Sequence, residues 1–184
     1  MRDNKEQWRQ KRAGHRAERR RFLRALSGRS PAKRPPWTSH ELTEHCTRCD
    51  ACIEACPDQV LWRGDGGYPE ISFAADGCSL CGDCVKACPE PVFDKRRPAF
   101  PWFAQPNARC LTLAQIYCQA CQDACESRAI RFPPVIGQPP QPQIDPAACT
   151  GCGACLPVCP GEAIGLIQRS EPYPERTDVS SGVS

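Results

Sequence analysis

Sixteen cysteines, set at recurring intervals, are the residues of this 184-residue chain that could do chemistry. Three runs read C-x₂-C-x₂-C-x₃-C-P, the spacing that holds a cubane iron–sulfur cluster in bacterial proteins. A fourth, altered run lies between the second and third of these regular runs. In chain order the four runs are Cys46, Cys49, Cys52, Cys56; Cys78, Cys81, Cys84, Cys88; Cys110, Cys118, Cys121, Cys125; and Cys149, Cys152, Cys155, Cys159. A 4Fe–4S cluster needs four thiolates, so the sequence predicts four clusters with no thiol left over.

Two other uses of cysteine are open. So high a cysteine content is typical of disulfide scaffolds in short secreted chains. However, three cysteines two residues apart suit a loop wrapped around one inorganic core. A structural zinc site would more often show two separated C-x₂-C pairs. Iron–sulfur clusters are therefore the favoured interpretation, ahead of zinc and disulfides.

In two-cluster ferredoxins the fourth cysteine of each run binds the other cluster. The x₃ spacing places the third and fourth cysteines about one helical turn apart, along a short helix between the two sites. The predicted ligand sets are Cys46, Cys49, Cys52 and Cys88 for cluster 1; Cys78, Cys81, Cys84 and Cys56 for cluster 2; Cys110, Cys118, Cys121 and Cys159 for cluster 3; and Cys149, Cys152, Cys155 and Cys125 for cluster 4.

The third site departs from the pattern. Cys110 stands eight residues before Cys118, and Glu126 replaces the proline that follows the other runs. If Cys110 is not a ligand, this site holds a three-iron cluster or loses its cluster easily.

The elements around the runs predict a small α+β fold made of two tandem two-cluster ferredoxin-like units, with short hairpins and short helices. We expect strands at 59–62 and 68–73 in the first unit and at 129–132 and 142–144 in the second, with another at 91–93. The predicted organisation is a basic arm at 1–37, a first unit at 38–97, a linker at 98–108, a second unit at 109–168 and a disordered tail at 169–184. Phe100, Trp102 and Phe103 are expected to pack between the two halves.

Glycines inside the runs have an expected role. Gly82, Gly151 and Gly153 allow the backbone to approach a cluster closely, where N–H groups can donate to sulfur.

Charge is divided unevenly along the chain. Residues 1–34 carry 13 Lys and Arg against 3 Asp and Glu, whereas the remainder carries 11 against 18. The segment Arg19 to Arg24 looks like a twin-arginine export signal, but no apolar region follows it. No apolar run reaches the length of a membrane span. We therefore expect a cytoplasmic protein with no membrane span, and a basic arm alone is weak evidence for nucleic-acid binding.

Enzymatic catalysis is not expected. His15, His40 and His45 do not form a catalytic group, and the sequence has no acid–base pair, nucleophile elbow or phosphate loop. All sixteen thiols are engaged at the clusters, so no cysteine remains to act as a nucleophile. One-electron transfer at the clusters is the chemistry that remains.

From about Arg34 to Ile164 the chain resembles the NapF family, ferredoxin-type accessory proteins encoded with periplasmic nitrate reductase. The resemblance lies in Arg34-Pro35-Pro36-Trp37, in His45-Cys46-Thr47-Arg48-Cys49-Asp50-Ala51-Cys52, in Gly66-Gly67-Tyr68-Pro69 and in the irregular third run ending Cys121-Gln122-Asp123-Ala124-Cys125-Glu126. It implies a protein that acts in the cytoplasm on the catalytic molybdenum subunit before export, in assembly of that subunit's 4Fe–4S cluster or in delivery of electrons. An electron-transfer subunit of a respiratory oxidoreductase is the alternative.

Overall fold

The computed structural model describes residues 32–39 and 41–169. The predicted arm up to residue 31, with its twin-arginine-like segment, and the predicted tail from residue 170 lie outside the described residues. The elements below all belong to one unit, which begins at Lys33.

Short helices and two-stranded sheets make up the described chain, as expected for a small α+β fold. The α-helices are α1 (Leu42–His45), α2 (Ala51–Glu54), α3 (Asp83–Ala87) and α4 (Ala120–Asp123). The strands are β1 (Leu61–Arg63), β2 (Pro69–Ile71), β3 (Trp102–Pro106), β4 (Ile130–Arg131), β5 (Gln143–Ile144) and β6 (Ile164–Gln168). Single 3₁₀ turns lie at Asp65–Gly67 and Leu111–Ala114.

We call the part of the chain that carries the first two cysteine runs the first half, and the part that carries the last two runs the second half. Each half contains the hairpin that the sequence predicts between its two runs. In the first half β1 pairs antiparallel with β2, with Leu61 opposite Ile71. In the second half β4 pairs antiparallel with β5, with Ile130 opposite Ile144. The strands are shorter than predicted, and the strand expected at 91–93 is a single bridge between Thr38 and Phe93.

Residues 33–39 are hydrogen-bonded to the first half. The Ile71 amide donates to the Lys33 carbonyl at 2.9 Å, and the Trp37 amide donates to the Ala99 carbonyl at 2.8 Å. Pro35 and Pro36 are fully buried. The paired prolines therefore anchor this segment to the first half.

The predicted linker contains a strand that the sequence did not reveal. β3 pairs antiparallel with β6 along five residues, from Trp102 opposite Gln168 to Pro106 opposite Ile164. About 60 residues separate the partners, so no hairpin turn signals the pairing. The domain boundaries themselves stay predictions.

Two apolar cores lie side by side. The first contains Phe73, Phe100 and Trp102, and the second contains Ala104 and Ile164. Leu156 and Leu166 pack against both. Phe100 and Trp102 stack with ring centroids 4.9 Å apart, and both are buried. Both rings also contact Gly151 of the last cysteine run, as predicted for rings between the halves. The third ring of that prediction, Phe103, is half-buried and packs against the second core.

In the described residues, no helix has the length and apolar character needed to cross a membrane.

Candidate metal centres

The three regular cysteine runs share one backbone conformation. In each run the residues on either side of the second cysteine have positive φ angles. They are Arg48 (62°) and Asp50 (65°), Leu80 (58°) and Gly82 (80°), and Gly151 (75°) and Gly153 (81°). Left-handed residues alternating with right-handed ones turn successive N–H groups toward a common concavity, a geometry that many iron–sulfur sites use. The chain therefore provides donors for a negatively charged group at each regular run.

The sequence identified only part of this feature. Gly82, Gly151 and Gly153 were expected to bring the backbone close to a cluster, and they lie at left-handed positions. Arg48, Asp50 and Leu80 were missed, because residues other than glycine rarely adopt positive φ angles. Their places beside the second cysteine of a regular run are the signal that could have found them.

The third cysteine of every run is buried. Cys52, Cys84, Cys121 and Cys155 are 7–8% exposed and belong to the apolar cores. In contrast, Cys49 and Cys81 are exposed. All sixteen cysteines lie among the described residues, and none of them is in a disulfide. Each site thus has an inner side within the core, and the first two sites also have an outer side at the surface.

The first site brings together cysteines from both runs of the first half. Burial raises the pKa of the Cys52 thiol to about 11, with further contributions from Cys88, Cys46 and Cys49. The same four cysteines line one pocket. These are the four predicted ligands of cluster 1. Three come from α2 and the loop before it, and Cys88 follows α3.

The second site shows the reciprocal exchange. Burial raises the pKa of Cys78 to about 11, and both Cys56 of the first run and Cys81 raise it further. Burial likewise raises the pKa of Cys84 to about 12, with contributions that include Cys78 and Cys56. The fourth cysteine of the first run therefore lies near the second site.

In the second half the exchange is seen at the third site, where Cys159 of the last run lies near Cys121. Burial raises the pKa of Cys121 to about 11, and Cys110, Cys118 and Cys159 add to the shift. Burial raises the pKa of Cys155 to about 12, with Cys152 and Cys149 as the next causes. Cysteine binds iron as the thiolate, so loading of these sites releases protons.

Cys110 reaches the third site despite its long loop. The 3₁₀ turn at Leu111–Ala114 folds the intervening residues, and its Thr112 is only 1% exposed. The Thr112 Oγ1 atom lies 3.3 Å from the Cys110 Sγ atom. When Cys110 is a thiolate, its sulfur can only accept, so the Thr112 hydroxyl is the donor.

The missing proline after the third run leaves the local turn intact. The Arg128 amide donates to the Cys125 carbonyl at 3.0 Å. The equivalent bonds after the first and last runs join Gln59 to Cys56 at 3.2 Å and Glu162 to Cys159 at 3.0 Å. Glu126 therefore substitutes for proline without changing the path of the chain.

Comparison with known proteins identifies the family. A family model described as a 4Fe-4S dicluster domain matches residues 45–92 and 116–163. Ferredoxin-type protein NapF of Escherichia coli K12 is 47% identical over 136 residues, which cover 71% of this chain and 82% of that protein. The chain belongs to the NapF family. NapF of Haemophilus influenzae is 44% identical over 137 residues, covering 72% of this chain and 77% of that protein.

Outside the NapF proteins, similarity extends to a component of a larger assembly. One subunit of the ion-translocating oxidoreductase complex of Methanosarcina acetivorans is 33% identical over 130 residues, covering 67% of this chain and 47% of that protein. No solved structure matches.

As a member of the NapF family with two dicluster domains, the chain is a ferredoxin-type protein with four 4Fe–4S clusters. The residues present fit these groups, because each regular run offers a concavity of N–H donors beside thiols from two runs. In the described residues, no three His, Cys, Asp or Glu side chains are arranged to hold a single metal ion.

Proposed function

We propose that this chain is a cytoplasmic accessory protein for the catalytic molybdenum subunit of periplasmic nitrate reductase. It acts on that subunit before export, in assembly of the subunit's 4Fe–4S cluster or in delivery of electrons to it. The observation that carries the proposal is the 47% identity to a NapF protein over 82% of its length. About 64 of the 136 aligned residues are identical, four times the number of cysteines in the chain.

The ligand sets are part of the proposal. Cluster 1 is held by Cys46, Cys49, Cys52 and Cys88; cluster 2 by Cys78, Cys81, Cys84 and Cys56; cluster 3 by Cys110, Cys118, Cys121 and Cys159; and cluster 4 by Cys149, Cys152, Cys155 and Cys125. The grouping of thiols around Cys52 and around Cys121 supports the first and third sets. Each cluster supplies reversible one-electron chemistry.

The chain's own residues bind and insulate these groups. The N–H donors of each regular run stabilise negative charge on sulfur, and the buried third cysteines keep one side of each site dry. Cys49 and Cys81 are exposed, so the first two sites approach solvent. An exposed thiolate ligand gives a docked protein short access to the site, whether it receives electrons or a cluster.

Retrieval from cytoplasm tests the partner. The tagged chain, prepared without oxygen, is expected to retain the catalytic subunit that still carries its export signal. The mature subunit without the signal is the comparison. Absence of the signal-bearing subunit from the retrieved material would contradict the proposal.

Iron content of the partner tests the assembly role. In cells that lack this chain, the catalytic subunit is expected to contain less iron, and the wild-type chain restores it. Cys49→Ser is expected to restore it poorly, whereas Thr150→Ser, next to a cysteine but not a proposed ligand, restores it fully. Equal restoration by both variants would count against a role for the first site.

A second candidate is an electron-transfer subunit of a respiratory oxidoreductase. The observation that favours it is the 33% identity to a subunit of an ion-translocating oxidoreductase complex. This candidate predicts stable co-purification with the other subunits of a membrane-bound complex, instead of transient retention of an unexported catalytic subunit.

A further inference from the structure

The two cysteine runs of each half meet at their third cysteines. In the first half, Cys52 and Cys84 share one apolar core, and Cys52 contributes to the raised pKa of Cys84. In the second half, Cys121 and Cys155 share the other core, and Cys121 contributes to the raised pKa of Cys155. Within each half, therefore, the buried sides of the two sites face each other.

A different pair of runs meets between the halves. The amide of Cys78, the first cysteine of the second run, donates to the carbonyl of Cys152 in the last run at 2.8 Å. Beside this bond, a Cβ atom on Gly77 would lie 2.6 Å from the Ala154 Cα atom. Real Cβ atoms do not approach so closely, so the absence of a side chain at Gly77 allows the two runs to touch.

Aromatic rings hold the last run against the first half. The Trp102 Nε1–H donates to the Gly151 carbonyl at 2.9 Å. A Cβ atom on Gly153 would lie 2.4 Å from the Phe73 ring, and one on Gly151 would lie 3.1 Å from the Phe100 Cβ atom. Both glycines of the last run therefore serve close packing between the halves as well as the site itself.

We propose that the four sites form a single line in the order first, second, fourth, third, and that the Cys78–Cys152 contact is the junction at which electrons cross between the halves. A one-electron reductant donates at one end of the line and a one-electron acceptor is reduced at the other. At the junction the donor site loses one electron and the acceptor site gains it, while no bond forms or breaks and no proton moves. The line rests on the proposed ligand sets and does not depend on which protein is the partner.

Loss of single sites tests the order. Cys46→Ser and Cys78→Ser, loaded without oxygen and reduced fully with a europium(II) chelate, are compared by EPR. Loss of the end site in Cys46→Ser leaves three adjacent sites, so all remaining signals are broadened by magnetic interaction. Loss of the second site in Cys78→Ser isolates the first site, which then gives one sharp, unbroadened signal.

The outcomes distinguish failure of the proposed order of sites from failure of the proposed ligand sets. An isolated signal in Cys46→Ser, or its absence in Cys78→Ser, overturns the order. Iron and sulfide content that does not fall to three clusters in these variants overturns the ligand sets, and with them the line.

A small substitution tests the junction while every ligand stays in place. Gly77→Ala forces the two runs apart, so the interaction between the halves is expected to weaken in the EPR spectrum of the fully reduced chain. Gly165→Ala is the matched control, since its Cβ atom would meet only the Gln105 carbonyl at an ordinary 3.8 Å. Wild-type spectra for Gly77→Ala at full iron content would overturn the proposed junction.

Discussion

Thr112 shows how one residue supports the irregular third site. It is a buried polar side chain, 1% exposed, and its hydroxyl lies 3.3 Å from the Cys110 sulfur. A buried hydroxyl requires a partner, and a thiolate requires donors. The two side chains satisfy each other, which explains how a ligand on a long loop is held without the C-x₂-C constraint.

Thr112→Val removes this donor and keeps the side-chain shape. A hydrogen bond to a charged group contributes about 2 kcal/mol, so the third site is expected to lose iron at least tenfold faster. Iron release to a chelator, followed anaerobically, measures the rate, with Thr112→Ser as the control that keeps the hydroxyl. Unchanged release from Thr112→Val would show that the hydroxyl does not support the site.

Trp102 joins the last cysteine run to the first half through the hydrogen bond from its Nε1–H group to the Gly151 carbonyl. Trp102→Phe leaves the buried Gly151 carbonyl without its donor, which is expected to cost about 2 kcal/mol of unfolding free energy. Denaturant unfolding of the loaded protein measures the change. Trp62→Phe, on a side chain that is 49% exposed, is expected to change stability by less than about 0.5 kcal/mol. Equal effects of the two substitutions would rule out the Gly151 contact as the cause.

At the scale of elements, the cysteine run is the repeated unit. In the three regular runs two left-handed residues define the loop, and in all four runs a helix or turn carries the third cysteine into the core. A turn follows the fourth cysteine of the first, third and last runs. Among the described residues of the third run, those flanking its second cysteine, Cys118, do not have positive φ angles. The regular loops supply hydrogen-bond donors from their own N–H groups. The third site depends instead on the 3₁₀ turn at Leu111–Ala114, whose Thr112 hydroxyl is a donor to Cys110.

Gly151 and Gly137 have similar φ angles, so substitutions at the two positions distinguish the cost of a strained backbone from the cost of a steric clash. Gly151 (φ 75°) has no room for a Cβ atom, which would lie 2.7 Å from the Trp102 carbonyl oxygen, whereas Gly137 (φ 81°) has nothing within 4 Å. Both alanine substitutions incur the strain of positive φ, about 1 kcal/mol. Gly151→Ala is expected to cost about 2 kcal/mol more by chemical unfolding, the usual size of an overpacking penalty. Equal losses would mean that the contact with Trp102 relaxes freely.

At the scale of the whole molecule, iron is part of the core. Among the residues that the structure describes, the buried apolar ones are few, and five of them are cysteines, namely Cys52, Cys84, Cys121, Cys149 and Cys155. Because the sites join runs that are distant in sequence, the free energy of metal binding is also free energy of folding. The β3–β6 pairing and the aromatic stack then join the two halves.

Removal of iron is therefore expected to unfold both halves. Anaerobic chelation with thiols kept reduced should abolish the near-UV circular dichroism of the buried rings and make the chain sensitive to protease. Adding iron and sulfide back should restore both properties. An iron-free chain that keeps its near-UV signal and its protease resistance would contradict a metal-dependent core.

The sequence by itself determined the chemistry of this protein. Thiol spacing is a local property, and it predicted the four sites. Strand and turn residues between the runs predicted the hairpins, and short motifs such as Arg34-Pro35-Pro36-Trp37 indicated the family. Tertiary structure decided the rest, because the remaining features join residues that no short-range pattern connects. The pairing of β3 with β6 and the contact of Cys78 with Cys152 are both of this kind. Chain packing sets which run lies beside which, and this order governs the path available to an electron.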